Sequence, residues 1–302
     1  MSKSGLFAGK STQDAPTNGA LTTKQRGYHW FEWGSSPMII YLTINDALFQ
    51  LPLRQFLEDG ITPLNYDFTV DWGDGSSDHI TAWDDAASEH DYTGLDDTFI
   101  VTITGTMEGW SFYEEPYSNN ANMNIAQWGN VGFRELSDAF YECPNLSISA
   151  TDAPNLSQIT SLLSFFESTN FVTADFTAWD VSGIEDFDRM FYDTKFNNDT
   201  INSWDVGSGI YFETMFFNSD FNQDLSAWTP TKSTTFENMF MMTSMSVANY
   251  DLLLNAWSLL TFDNSGLLFW FDQNYTIATS QAARDILTNA PNSWTITDLG
   301  GI

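Results

Sequence analysis

The chain has one cysteine, Cys143, in 302 residues. A single thiol excludes an internal disulfide framework. With no histidine near it in the sequence, Cys143 reads as a small buried hydrophobe and not as a nucleophile. Basic residues are scarce: ten Lys and Arg stand against forty Asp and Glu, a formal net charge of −30. Four of the ten, Lys3, Lys10, Lys24 and Arg26, fall in the first 26 positions, where the one acid is Asp14. Residues 27–302 therefore carry six bases and thirty-nine acids, a net of −33. Such a body repels phosphate backbones and anionic lipid, which makes nucleic acid and membrane surfaces poor partners. No apolar run approaches the ~18 residues of a membrane span; MIIYL at 38–42 and LLFWF at 267–271 are strand-sized. The N-terminus lacks the apolar core of a secretion signal, since Leu6, Phe7 and Ala8 stand alone among polar residues. Either a signal was removed ahead of this numbering or the chain is not exported, and Met1 makes the second the expectation.

What the sequence does have is aromatic residues, 16% of the total, and they recur. WDVSGIEDFDRMF from Trp179, WDVGSGIYFETMF from Trp204 and WTPTKSTTFENMF from Trp228 say the same thing three times. Two earlier units, WGNVGFRELSDAF from Trp128 and PNLSQITSLLSFF from Pro154, share the offsets, so the period is 24 to 26 residues. A fixed period of this length signals a repeat architecture. Eight, eleven and twelve residues after each start stand apolar residues, such as Phe187, Met190 and Phe191, an i, i+3, i+4 triple that predicts one stripe of a short helix. The stretches after them, such as FNNDTINSW and FNQDLSAW, predict short strands. The expected architecture is an α/β leucine-rich-repeat-like solenoid of about five coils of 24–26 residues. Its core would be Trp128, Phe140, Phe166, Trp179, Met190, Phe191, Trp204, Met215, Phe216, Trp228, Met239 and Phe240, because a single coil cannot bury its own apolar side.

Around the repeats the chain divides into an N-terminal arm (1–27), an all-β stretch (28–106), a connector (107–127), the repeats (128–246) and a C-terminal cap (247–302). The arm is rich in Ser, Thr, Gly and Lys and has no periodicity; its Lys3, Leu6, Phe7, Lys10, Lys24 and Arg26 are the candidate contacts to a partner subunit. In the β stretch, MIIYLTI, DFTV and TFIVTITG read as strands, with DWGDGSSD as a turn and HDY at 90–92. Asp71, Asp74 and Asp78 form a weak calcium candidate, because hard cations want several carboxylate oxygens. Their spacing lacks the alternating ligands of an EF-hand, and capping of a tight turn competes with it. Glu114 and Glu115 are adjacent and point apart, which suits no acid–base pair. Asn249–Leu260 reads as a helix covering the last repeat, and TSQAARDIL opens with helix-capping residues.

The WGDG turn, the His-x-Tyr and the final FIVTI strand resemble a PKD-like immunoglobulin sandwich. The units FNQDLSAW and WDVSGIEDFDRMF, the lead-in IAQWGNVGFRELSDAFYECPNL and the ending NYDLLLNAW…AARDIL…WTITDLGG resemble BspA-type leucine-rich-repeat surface proteins, over roughly residues 38–300. This resemblance implies a multidomain, non-enzymatic surface or adhesion protein that needs no cofactor, with the sandwich before the solenoid. The basic arm and the missing signal depart from that pattern and lead us to expect a phage virion component, a head decoration protein or fibre on the virion surface. Such a protein would be held to other virion subunits by the arm and present in many copies. The alternative is an adhesin on a bacterial cell surface that binds host protein or glycan. An enzyme on the same scaffold has no catalytic constellation in its favour. Five coils with five-residue strands would offer a face of about 24 by 17 Å, about half of what each partner buries in a standard interface, so attachment would depend on many copies.

Overall fold

A computed structural model describes residues 36–45, 47–113, 120–170 and 174–302, all within one compact unit, 34–302. The arm with its Lys3, Leu6, Phe7, Lys10, Lys24 and Arg26 lies outside the described residues, as do Glu114, Glu115 and Phe171.

Strict alternation makes the first strands. In β1 (Met38–Asn45), Met38, Ile40, Leu42 and Ile44 are buried while Tyr41 faces outward, the period of two that a half-covered sheet requires. Then come β2 (Leu48–Gln50), β3 (Tyr66–Asp71), β4 (Ser77–Ile80), β5 (Glu89–Asp91), β6 (Asp96–Met107), β7 (Asn122–Gln127) and β8 (Leu146–Ile148). Six of them form one sheet in the order β4-β3-β6-β1-β7-β8, and β2 pairs with β5 apart from it. The registers Leu42↔Phe99, Leu42↔Met123 and Ile125↔Ile148 put apolar residues of neighbouring strands on the same face. Gly105 is required where β6 crosses β3: its φ is +125° and a Cβ would come within 2.4 Å of the Asp67 carbonyl oxygen. The sheet does not stop before the repeats, because β7 comes from the expected connector and β8, parallel to it, from the first repeat unit.

The expected architecture is overturned here. Among the described residues, no two-sheet immunoglobulin-like sandwich and no α/β leucine-rich-repeat-like solenoid forms. Among the described residues there are twelve strands in one six-stranded and three two-stranded sheets, and only two α-helices. Both helices, α1 (Val247–Trp257) and α2 (Ile277–Thr288), follow the repeats. The apolar triples that predict a helix in each unit sit instead on consecutive turns.

The reason lies in the backbone. Each unit carries two non-glycine residues with φ between 51° and 59°, four positions apart: Asp138 and Glu142, Ser164 and Ser168, Arg189 and Asp193, Thr214 and Asn218, Asn238 and Met242. A left-handed residue breaks the α-helical run and turns alternate amides out of the unit. Thus Arg189, Phe191 and Asp193 donate to the carbonyls of Glu213, Met215 and Phe217 in the next unit at 3.1, 2.9 and 2.8 Å. Met190 and Tyr192, between them, turn back to Phe187 and Arg189 at 3.3 and 3.0 Å. Single parallel bridges join Ser161, Asp186, Tyr211 and Thr235 in series.

Side chains follow the same register. Phe140, Phe166, Phe191, Phe216 and Phe240 stack ring on ring with centroids 5.9, 5.7, 5.6 and 5.6 Å apart. Trp204 and Trp228 are parallel at 6.4 Å, and their indole N–H groups donate to the carbonyls of Phe176 and Ile201. All twelve expected core residues are buried. After α1 come β9 (Leu268–Trp270), β10 (Asn274–Tyr275), α2, β11 (Thr295–Thr297) and β12 (Gly300–Gly301). Helix α1, capped by the Ser246 hydroxyl, lays Tyr250, Leu253, Leu254 and Trp257 into the core. Arg284 clamps the chain end to α2 through two bonds to Asp298, at 2.8 and 3.0 Å.

Candidate functional site

The 24–26-residue period lines up side chains of matching offset in columns along the repeats, some buried and some exposed. One column runs Glu135, Ser161, Asp186, Tyr211, Thr235; the next runs Asp138, Ser164, Arg189, Thr214, Asn238. A third runs Tyr141, Glu167, Tyr192, Phe217, Met241. Carboxylates and aromatic rings therefore stand side by side on one face.

Two ion pairs, each a buried carboxylate with a more exposed arginine, organise the carboxylates. Glu167, whose side chain is 4% exposed, accepts from both Nε and Nη2 of Arg189 and from the Ser164 hydroxyl. That pairing holds the Arg189 guanidinium firmly protonated. Glu135, 6% exposed at its side chain, accepts from the amides of Glu58 and Ser137 at 2.7 and 2.8 Å and lies 3.8 Å from Arg54. Arg54 also approaches Asp138 at 3.9 Å and donates to the Ser137 carbonyl. Between these pairs the acids crowd. Burial, reinforced by Glu167, Glu135 and Glu58 and opposed by Arg54, pushes Asp138 up to about 6. Burial, reinforced by Asp186 and Glu213 and opposed by Arg189, pushes Asp188 up to about 7; Asp186 is raised too, chiefly by burial. Raised acids on a half-buried face mark a place where negative charge is held against its own repulsion.

The aromatic column borders them. Tyr113 packs edge-on against Tyr141 at 5.3 Å, and Tyr192 and Phe217 are parallel at 5.1 Å. The Arg189 guanidinium covers the Tyr192 ring at 4.2 Å. At the first-unit end a cleft of about 230 Å³ opens between Leu53, Arg54, Phe56, Glu58, Tyr113 and Asp138.

Residues 134–257 match a family described as "Mycoplasma protein of unknown function, DUF285". The matched stretch runs from the turns of the first unit to the last residue of α1 and is compatible with a BspA-type family. No curated protein and no solved structure matches the chain.

The calcium candidate is dispersed. Asp71 caps the Gly73 amide at 2.9 Å, Asp78 accepts from the Trp72 indole at 2.8 Å, and Asp74 accepts from Ser76 and lies 2.9 Å from His90 Nε2. No three His, Cys, Asp or Glu side chains among the described residues gather as a metal site. His90 stacks on Trp72 and the Tyr92 hydroxyl donates to the Trp72 carbonyl, so HDY and WGDG make one structural latch. Cys143 is buried, which pushes its thiol up and leaves it unreactive. Sequence reasoning missed Arg54, Glu135, Asp138, Glu167, Asp188 and Arg189. Reading the units as columns would have found Glu167, Asp188 and Arg189, since Glu167 pairs with Arg189 and Asp188 accepts from the Glu213 amide in adjacent units; Glu135 and Asp138 depend on Arg54, outside the repeats.

Proposed function

We propose that this is a non-enzymatic structural and adhesion protein, displayed in many copies on a particle surface, with the outward face of its repeats as the binding surface. The observation that carries this reading is the repetition itself: side chains of matching offset line up at one period, with Tyr141, Tyr192 and Phe217 in one column and Glu135 and Asp186 in another, and Asp138 and Asp188 are held at raised proton affinity beside them. A face this small gains useful strength from copy number. A phage virion component, a head decoration protein or fibre anchored through the basic arm, accounts for the acidic body and the oppositely charged first 26 residues. The family match to a Mycoplasma protein favours a second reading, a BspA-like adhesin on a bacterial cell surface.

An antibody to the repeats, applied to purified virions and to bacterial envelopes, separates the two: signal confined to envelopes ends the virion reading. Deleting residues 1–27 is expected to abolish incorporation into the particle while the body stays folded. Retained incorporation would rule out anchoring by the arm.

A further inference from the structure

We infer that the repeat face takes a basic polypeptide segment of a partner protein, one that alternates cationic and apolar side chains. The inference rests on the display reading above in treating this face as the working surface, and it adds the chemistry of what is bound. Three observations carry it.

The first is charge. Arg54 and Arg189 are committed to the buried carboxylates Glu135 and Glu167. Asp186, Asp188 and Glu213, in adjoining rows, form no salt bridge among the described residues. From Asp138 to Glu213 the row crosses four units, about 14 Å at a strand-like spacing of ~4.8 Å, the reach of four to five extended residues. Cationic side chains laid along it would neutralise charges that now repel one another.

The second is the aromatic border. Tyr192 and Phe217 lie face to face and the Arg189 guanidinium covers Tyr192, so these ring faces are already in use. A sugar recognised by stacking needs such faces; an apolar side chain needs only ring edges and the thioether of Met241.

The third is the cleft. Its walls combine Leu53, Phe56 and Leu57 with Glu58, Asp138 and the already paired Arg54, and its volume of about 230 Å³ has room for one large side chain whose stem meets the apolar wall. An anchor residue there, with cations running along the row beside it, fits a peptide and not a free polyamine.

The test uses the full chain and three probes: a ten-residue peptide alternating lysine and leucine, spermine, and a chito-oligosaccharide. Calorimetric titration at pH 7.5 is expected to show the peptide binding and the other two not. Two variants are measured beside it. Asp188→Asn with Glu213→Gln removes row charge, and Tyr192→Ser removes the border; each is expected to weaken the peptide roughly tenfold. The uncharged Asp188→Asn side chain suits a site that already favours the protonated acid, so this variant is expected to fold, as checked by its thermal transition. Spermine binding as tightly as the peptide, or peptide binding unchanged in both variants, overturns the inference and leaves only attraction to a negative body. Binding of the oligosaccharide alone overturns it in favour of a glycan. If the peptide fails while the antibody still finds the protein on its particle, the partner chemistry falls and the display role stands.

Discussion

Phe216 illustrates how much one residue carries. It stacks between Phe191 and Phe240, also touches Phe221 at 4.0 Å, and is fully buried. Phe216→Ala is expected to lower unfolding free energy by about 3–5 kcal/mol in a chemical denaturation series, whereas Phe216→Leu retains most of the volume and loses less. Thr214 makes the opposite case. It is β-branched, yet its φ is 55°, a conformation that costs ordinary residues about 1–2 kcal/mol. Asn238 fills the same offset one unit on, so Thr214→Asn is expected to stabilise the fold by up to about 1 kcal/mol, read as a rise in Tm. Asp138 and Asp188 give a pH signature. Both hold their proton more tightly in the fold than in the unfolded chain. Their contribution to stability is therefore complete below the ordinary carboxylate range and lost as pH rises through about 6 and about 7. Tm is expected to fall between pH 5 and pH 8, and Asp138→Asn with Asp188→Asn to flatten that slope. A slope unchanged in the double variant would mean other groups control it.

At the scale of the element, the unit of construction is a pair of tight turns and not a strand plus a helix. Its period, its buried offsets and its aromatic core were legible in the sequence, because burial depends on spacing and spacing is written in residue order. The helix expected at Phe187, Met190 and Phe191 was not there, because the same i, i+3, i+4 stripe arises when successive turns each advance three residues. The sign of φ at Arg189 and Asp193 decides between the two. Arg189 does not announce a left-handed conformation, although Asp193 and the Asp and Asn at matching offsets in other units were a weak hint. The two-sheet sandwich failed for a related reason: strand-forming runs say which stretches pair, not that β7 and β8 will extend one sheet into the first unit. Because neighbouring units bond through matching offsets, removing residues 204–227 as one whole unit is expected to leave a folded protein with a lower Tm. Removing 204–215 alone shifts the register and is expected to unfold the repeats, as read by loss of a cooperative thermal transition. Equal behaviour of the two deletions would contradict register-locked stacking.

At the scale of the whole molecule, charge and repetition act together. A body of net −33 keeps copies apart in solution, while five aligned rows concentrate part of that charge on one face. The face was the least legible feature. Its pairs Glu167–Arg189 and Glu135–Arg54 join residues 22 and 81 positions apart, and composition alone made all forty acids look alike. The claim that this face is the working surface is tested most directly by carbodiimide footprinting, comparing Asp138, Asp188 and Glu213 in the free protein with the same residues on the native particle or envelope that carries it. Engagement of the face by its partner is expected to protect these three several-fold while the exposed Asp84 and Asp263, which belong to none of its columns, label as before. Equal labelling of the three in both states, with protection elsewhere, would contradict the account.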